Sequence, residues 1–227
     1  MTRMTSEAHP CRLYLISPPR ISLSEFTKTL EVALLAGDVG AFQLRLKEAD
    51  DEAIRAATRA LKPICRAHNV AFILNDRVDL AVELEVDGVH LGQDDMKPEE
   101  ARQALGSDRV IGVSCHDSSH MAMEAGEKGA DYIAFGAFFP TKSKSPEKLA
   151  KYGVPTVDIV KWWSTYTIVP CVAIGGMTPQ NCAPFVAAGA DFIAAITAIW
   201  EHPKGAAAAV KEFNQAIKAA LKNARVG

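Results

Sequence analysis

The 227-residue chain is 48% hydrophobic, enough for one large core but short of two ordinary α/β domains, so a single domain is expected. Its 25 lysines and arginines against 27 aspartates and glutamates leave a formal charge of −2, which excludes a general attraction to nucleic acid or an anionic membrane and confines any anion site to a local cluster. Five cysteines (Cys11, Cys65, Cys115, Cys171 and Cys182) with no Cys-x-x-Cys pair, no apolar signal core at the N-terminus and no run of membrane-span length lead to the expectation of a cytoplasmic protein with reduced thiols.

An N-terminal tail is expected over residues 1–11 and a folded domain over 12–227. Short runs rich in β-branched and aromatic residues alternate with helix-period segments to the end of the chain, the rhythm of a parallel sheet. The first strand is predicted at 13–16, followed by a helical stripe of Phe26, Leu30, Ala33 and Leu34. The second strand, at 42–45, precedes a stripe of Ile54, Ala57, Leu61 and Ile64, in which Pro63 removes a backbone donor and should kink or shorten the helix. Further strands are predicted at 71–74, 88–91, 110–114, 132–136, 171–174 and 192–196, and a last stripe runs through Ala206, Val210, Phe213, Ile217 and Leu221. Eight strands favour a closed (β/α)8 TIM barrel over an open sheet.

A turn pattern recurs before every second strand: Gly37-Asp38-Val39-Gly40, Glu85-Val86-Asp87-Gly88, Gly129-Ala130-Asp131 and Gly189-Ala190-Asp191. A glycine past a helix end can take the left-handed conformation that stops the helix, after which the apolar run joins the sheet. Residues 140–155, rich in Pro, Lys and Ser, follow a strand end and resemble an active-site loop.

In a barrel of this kind, polar residues at the C-terminal strand ends face the catalytic mouth. The second strand ends Gln43-Leu44-Arg45-Leu46-Lys47, and alternation sends an amide and two cations to one side, where an anionic partner would offset their desolvation. The third ends Asn75-Asp76-Arg77 and the fourth runs on to Gln93-Asp94-Asp95, so that two carboxylates meet at neighbouring strand ends. Hard carboxylate oxygens suit Mg2+, although Asp76 and Asp95 each also stand where a helix cap is expected. Cys115, His116 and His120 have a spacing zinc could use but lack a fourth partner, and His116 reads as a loop residue or cap. Thr141, Ser143 and Lys144 after the sixth strand, Gly175-Gly176 after the seventh and Ile196-Thr197 after the eighth form the pattern of a phosphate site at a barrel mouth.

Taken in order, Gln43-x-Arg45-x-Lys47, Asn75-Asp76-Arg77-x-Asp79, Gly88-Val89-His90-Leu91-Gly92-Gln93-x-Asp95, Gly112-x-Ser114-x-His116, Pro140-Thr141-x-Ser143-Lys144 and Ala173-Ile174-Gly175-Gly176 resemble the thiamine phosphate synthase family over nearly the whole chain. The resemblance implies a transferase that couples hydroxymethylpyrimidine diphosphate with thiazole phosphate, releasing pyrophosphate through a pyrimidine carbocation, with no protein nucleophile. It implies that Gln43, Arg45, Lys47, Asn75, Ser114 and Lys144 hold the diphosphate substrate, with Arg45, Ser114 and Lys144 closest to the chemistry. Asp76 and Asp95 would ligate Mg2+, and Thr141, Ser143, Gly176, Ile196 and Thr197 would contact the thiazole phosphate. Departures from the family pattern are Ala137 in place of proline, Ser143 in place of threonine, Phe192 in place of a small residue, and the segment 145–153.

Three other readings stay open on sequence grounds. A related thiazole tautomerase would not need both the aspartate pair and the Gln-x-Arg-x-Lys strand. A Schiff-base aldolase would use Lys144 as an amine nucleophile. A non-catalytic paralogue would bind thiazole phosphate without releasing pyrophosphate. Small-molecule partners are expected, with neither nucleic acid nor membrane. Trp162, Trp163 and Tyr166 on one helix leave homo-oligomer formation open against plain outer-layer packing.

Overall fold

The computed structural model describes residues 11–141 and 152–224. Eight parallel strands close in sequence order: β1 (Arg12–Ile16), β2 (Val39–Leu44), β3 (Ala71–Asn75), β4 (Gly88–Leu91), β5 (Val110–His116), β6 (Tyr132–Phe135), β7 (Cys171–Ile174) and β8 (Phe192–Ala195), which pairs back onto β1. Around them lie α1 (Leu23–Leu35), α2 (Asp51–Ala67), α3 (Val78–Glu83), α4 (Pro98–Leu105), α5 (Ser119–Glu127), α6 (Val157–Tyr166), α7 (Ala183–Ala187), α8 (Thr197–Trp200) and α9 (Ala206–Ala224). The (β/α)8 barrel expected from the strand rhythm is the observed fold.

Strand alternation divides the apolar residues between two cores. Leu13, Leu15, Phe42, Leu44, Phe72 and Leu74 turn outward beneath the helices. Tyr14, Ile16, Ala41, Ile73, Tyr132, Ala134, Val172 and Ala194 turn inward and fill the barrel. The helical stripes meet the outer core: Phe26, Leu30, Ala33 and Leu34 are buried on α1, and Ala206, Val210, Phe213 and Ile217 on α9, with Leu221 partly buried beside them.

Pro63 does not shorten α2, which continues to Ala67. The proline and Arg59, whose carbonyl loses its donor, both lie on the exposed side, where water can replace the lost bond. Cys65, rather than Ile64, is the fully buried fourth member of that stripe.

The recurring turns act through their aspartates. Asp87, Asp131 and Asp191 accept hydrogen bonds from amides at the start of the preceding strands, Phe72 N (2.7 Å), Ile111 N (2.7 Å) and Cys171 N (2.8 Å). Asp38 differs, binding the Arg12 guanidinium at 2.9 and 2.6 Å. The helix-stopping left-handed glycine holds for Gly129 and Gly189, whereas Glu85 takes that conformation in the second turn and Gly37 does not.

At the closed end of the barrel Phe192 stacks edge-on against Tyr14, and Gly40 leaves it room, since a Cβ there would stand 2.6 Å from the Phe192 ring. This departure from the family pattern therefore fills the floor of the barrel, away from the mouth. Trp163 is buried and donates from Nε1 to Val169 O (2.7 Å), so it packs the outer layer, while Trp162 and Tyr166 are exposed. Among the described residues, no helix is long and apolar enough to cross a membrane.

Candidate active site

Two adjoining cavities open at the C-terminal strand ends. The first, about 360 Å3, is lined on one side by Gln43, Arg45, Lys47, Asn75, Asp76 and Asp95, and across from them by Ser114, His116, Tyr152 and Ile196. The second, about 330 Å3, is lined by Thr141, Gly175, Gly176, Thr178, Thr197 and Ala198. They share Ile174, Ala194 and Ile196, so a molecule in one meets a molecule in the other over an apolar ridge.

On β2 the expected alternation holds. Gln43 is buried, while Arg45 and Lys47 follow beyond the strand end with Leu44 and Leu46 turned into the outer core. The Arg45 amide donates to Ser17 Oγ (2.8 Å), tying this exit to β1. Burial pulls the Arg45 guanidinium below its ordinary value and Asp76 pushes it back up, an arrangement that favours a further anion beside it.

Asp76 sits at φ 63°, a left-handed conformation that aspartate tolerates, and its amide donates to His90 O (2.9 Å). The Lys47 ammonium lies 3.3 Å from Asp76 Oδ2. Asp95 is held by the Gly92 amide at 2.7 Å and stands beside Asp76. Burial raises the Asp76 carboxyl above its ordinary range and Asp95 raises it further, while Lys47 pulls it down. The capping alternative fails for both, because Arg77 precedes α3 and Lys97 precedes α4 at the cap positions.

Beneath these groups runs a hydrogen-bonded floor that the motifs did not reveal. Gln43 Nε2 donates to Tyr14 OH (3.0 Å), which is 2.9 Å from Tyr132 OH. Tyr132 OH is 2.9 Å from His90 Nδ1, and His90 Nε2 is 2.8 Å from Ser114 Oγ. Burial pushes the Tyr14 hydroxyl up to about 12, the bonds from Tyr132 and Gln43 offsetting part of the shift, and Tyr132 is also raised well above its ordinary value by burial. Both phenols therefore stay protonated and able to donate. The signal was present in strand parity: His90 follows Gly88 by two and so faces inward, and Gly112 leaves space for the Tyr132 ring, which a Cβ there would meet at 1.9 Å.

Gln93, also missed as a site residue, donates from Nε2 to Ser114 O (2.6 Å) where β5 bulges. His116 neither caps α5, whose cap is Ser118, nor joins a zinc site. Cys115 is buried in the outer core, and His120 lies on the exposed face of α5 beside Glu124.

In the second cavity Gly175 and Gly176 both take positive φ, 99° and 65°. A Cβ on Gly176 would stand 2.6 Å from Phe139 Cβ and 2.8 Å from Pro140 O, so only glycine lets the 138–140 segment dock here. Phe138 N and Phe139 N donate to Ile174 O (3.2 Å) and Gly175 O (3.1 Å), and Asn181 Nδ2 holds Gly176 O at 3.0 Å. Every expected site residue among those described lies in one of the two cavities, while Ser143 and Lys144 lie outside the described residues.

Residues 13–199 match the family described as thiamine monophosphate synthase. The chain is 53% identical over 208 residues to the thiamine-phosphate synthase of Rhodospirillum centenum, covering 92% of this chain and 98% of that one. It is 49% identical over 213 residues to that of Erythrobacter litoralis, covering 93% and 97%. A solved thiamine phosphate pyrophosphorylase from Pyrococcus furiosus is similar with a TM-score of 0.81 and 29% identity, over 95% of this chain and 100% of that one.

Proposed function

Because the chain belongs to the thiamine monophosphate synthase family, we propose how its barrel mouth performs that family's coupling of a pyrimidine to a thiazole. The enzyme is a transferase that joins the two moieties with release of pyrophosphate. The observation that carries the assignment of roles is the pair of adjoining cavities, one walled by side-chain charges and the other by glycine backbone.

In this reading the hydroxymethylpyrimidine diphosphate lies in the first cavity, with Arg45, Lys47 and Asn75 on its diphosphate and Gln43 and Ser114 orienting the ring from the hydrogen-bonded floor. The thiazole phosphate lies in the second, near Thr141, Gly176, Ile196 and Thr197. The carbon–oxygen bond to the diphosphate breaks with both electrons leaving on pyrophosphate, and the thiazole nitrogen supplies the pair for the new carbon–nitrogen bond. Positive charge placed in advance where the leaving group gathers negative charge is the main aid such an ionisation needs. Lys144 joins Arg45 and Lys47 in that task, and Ser143 joins the thiazole phosphate site. The apolar ridge of Ile174, Ala194 and Ile196 keeps water from the electrophilic carbon.

Asp76 and Asp95 fit Mg2+: two hard carboxylates stand side by side, partly desolvated, at the mouth where the substrate diphosphate would bring further negative charge. Bound there with substrate, the cation would neutralise charge on the diphosphate. The substrates are small molecules.

The test is pyrophosphate release with both substrates and Mg2+, each omitted in turn. Release that depends on all three supports the assignment. Release independent of thiazole phosphate, or none at all, overturns it.

A further inference from the structure

We propose that the face-to-face pair of Tyr152 and His116 is the wall against which the pyrimidine ring is held, with Tyr152 acting through His116 as a positioning residue. The inference rests on the reading that the first cavity takes the pyrimidine diphosphate.

His116 ends β5 immediately after the bulge, where the pairing with β6 passes from Ser114 to His116 and skips Cys115. Its backbone takes φ 53° and its carbonyl accepts from Gly136 N at 3.1 Å, so its position is fixed from two strands. The ring itself is fixed by Tyr152. The two centroids are 3.9 Å apart and the planes 3° from parallel, closer and flatter than the offset or edge-on pairs aromatic side chains usually form. The next residue docks as well, since a Cβ on Gly153 would stand 3.3 Å from Asp117 Oδ2. Successive residues, 152 and 153, thus seat on successive residues, 116 and 117.

Both rings line the first cavity and neither lines the second. Among the described residues, the cations and carboxylates of the first cavity belong to the ends of β2, β3 and β4, where the diphosphate is placed. The ring of the same substrate must then lie toward β5 and β6, between the charged strand ends and the shared apolar ridge. A planar ring is held best by flat surfaces, and the stacked pair is the flat surface on that side. His116 belongs to the shared motif Gly112-x-Ser114-x-His116, whereas Tyr152 falls in the segment 145–153 that departs from the family pattern, so the stack adds a residue of this chain's own to a shared one.

The experiment compares parent, Tyr152→Phe, Tyr152→Leu, His116→Leu and the double leucine variant. Calorimetric affinity is measured for hydroxymethylpyrimidine diphosphate and, separately, for inorganic pyrophosphate, both with Mg2+, alongside KM for each substrate and the thermal midpoint. Tyr152→Leu should weaken the pyrimidine diphosphate about three- to tenfold, the range of an aromatic pair, with Tyr152→Phe restoring it. Pyrophosphate affinity, KM for thiazole phosphate and the midpoint should stay at parental values. The double variant should be no worse than the worse single, because the two residues act as one. Equal binding of the pyrimidine diphosphate by parent and Tyr152→Leu overturns the inference alone. So does an equal loss for pyrophosphate, which would move the pair's action to the phosphates. A parent that binds no pyrimidine diphosphate overturns the inference together with the function on which it rests.

Discussion

The two sides of the barrel mouth are built by different means. At the ends of β2, β3 and β4 the groups are side chains, Arg45, Lys47, Asn75 and the adjacent Asp76 and Asp95, partly desolvated and set against one another. At the ends of β7 and β8 they are the turn into α8 and Gly175 and Gly176, at which close approach of residues 137–140 leaves no room for a side chain. In the proposed function the first arrangement places charge that acts as a bond breaks, and the second offers a fixed shape to anchor a phosphate which does not react. Substitutions on the two sides should therefore fail differently, the first in turnover and the second in affinity.

The sharpest break of this contrast is Asp95→Asn. It keeps the shape and removes one of the two hard ligands proposed for Mg2+, and turnover should fall about a hundred- to a thousandfold with the fold intact by circular dichroism. A near-parental rate at limiting Mg2+ would place the metal elsewhere. Next in size is Lys144, which we assign to the charged side. Lys144→Ala should slow single-turnover pyrophosphate release roughly a hundredfold, whereas Lys144→Arg keeps the charge and part of the rate. A borohydride-trapped, substrate-dependent adduct on Lys144 would instead mark a Schiff-base enzyme.

On the backbone side, Gly176→Val should raise the Kd for thiazole phosphate about tenfold or more by calorimetry and leave pyrimidine diphosphate binding alone. Unchanged thiazole phosphate affinity would show that the site lies elsewhere. The smallest effect concerns stability. The Asp76 carboxyl is raised in the folded protein, so its favourable share in folding is present below the unfolded value and is lost as pH rises through the folded one. Without Mg2+, Asp76→Asn should therefore raise the melting temperature at pH 7 by a few degrees, on the order of 2–4 °C, and the gain should shrink toward pH 4. A lower melting temperature at pH 7 would mean that Lys47 outweighs the burial.

The fold was legible because each strand carries its own two-residue period and each helix its own stripe, as with Leu13 and Leu15 outside Tyr14 and Ile16. The charged side of the site was legible for the same reason, since the alternation of Gln43, Arg45 and Lys47 with leucines reads directly as one face. What escaped were groups whose role depends on partners distant in sequence. Tyr14 and Tyr132 resemble ordinary core aromatics until their hydroxyls are found 2.9 Å apart. His116 reads as a loop residue until Tyr152 is laid over it. Pro63 misled in the other direction: its effect on α2 depends on which side faces water, a fact that the local sequence only partly encodes.

The aspartates at the closed end have a consequence for shuffling. Asp87, Asp131 and Asp191 each grip a backbone amide, a group that every residue except proline supplies. A joint of that kind ignores the identity of its partner, so crossovers between related barrels at the turns before β4 and β8 should preserve it whichever parent provides the neighbouring strand. The turns before β2 and β6 make a stricter demand, because Asp38 grips the Arg12 side chain and Asp131 also grips that of Arg102, and a chimera joined at either inherits a working seam only if both halves of the pair come along.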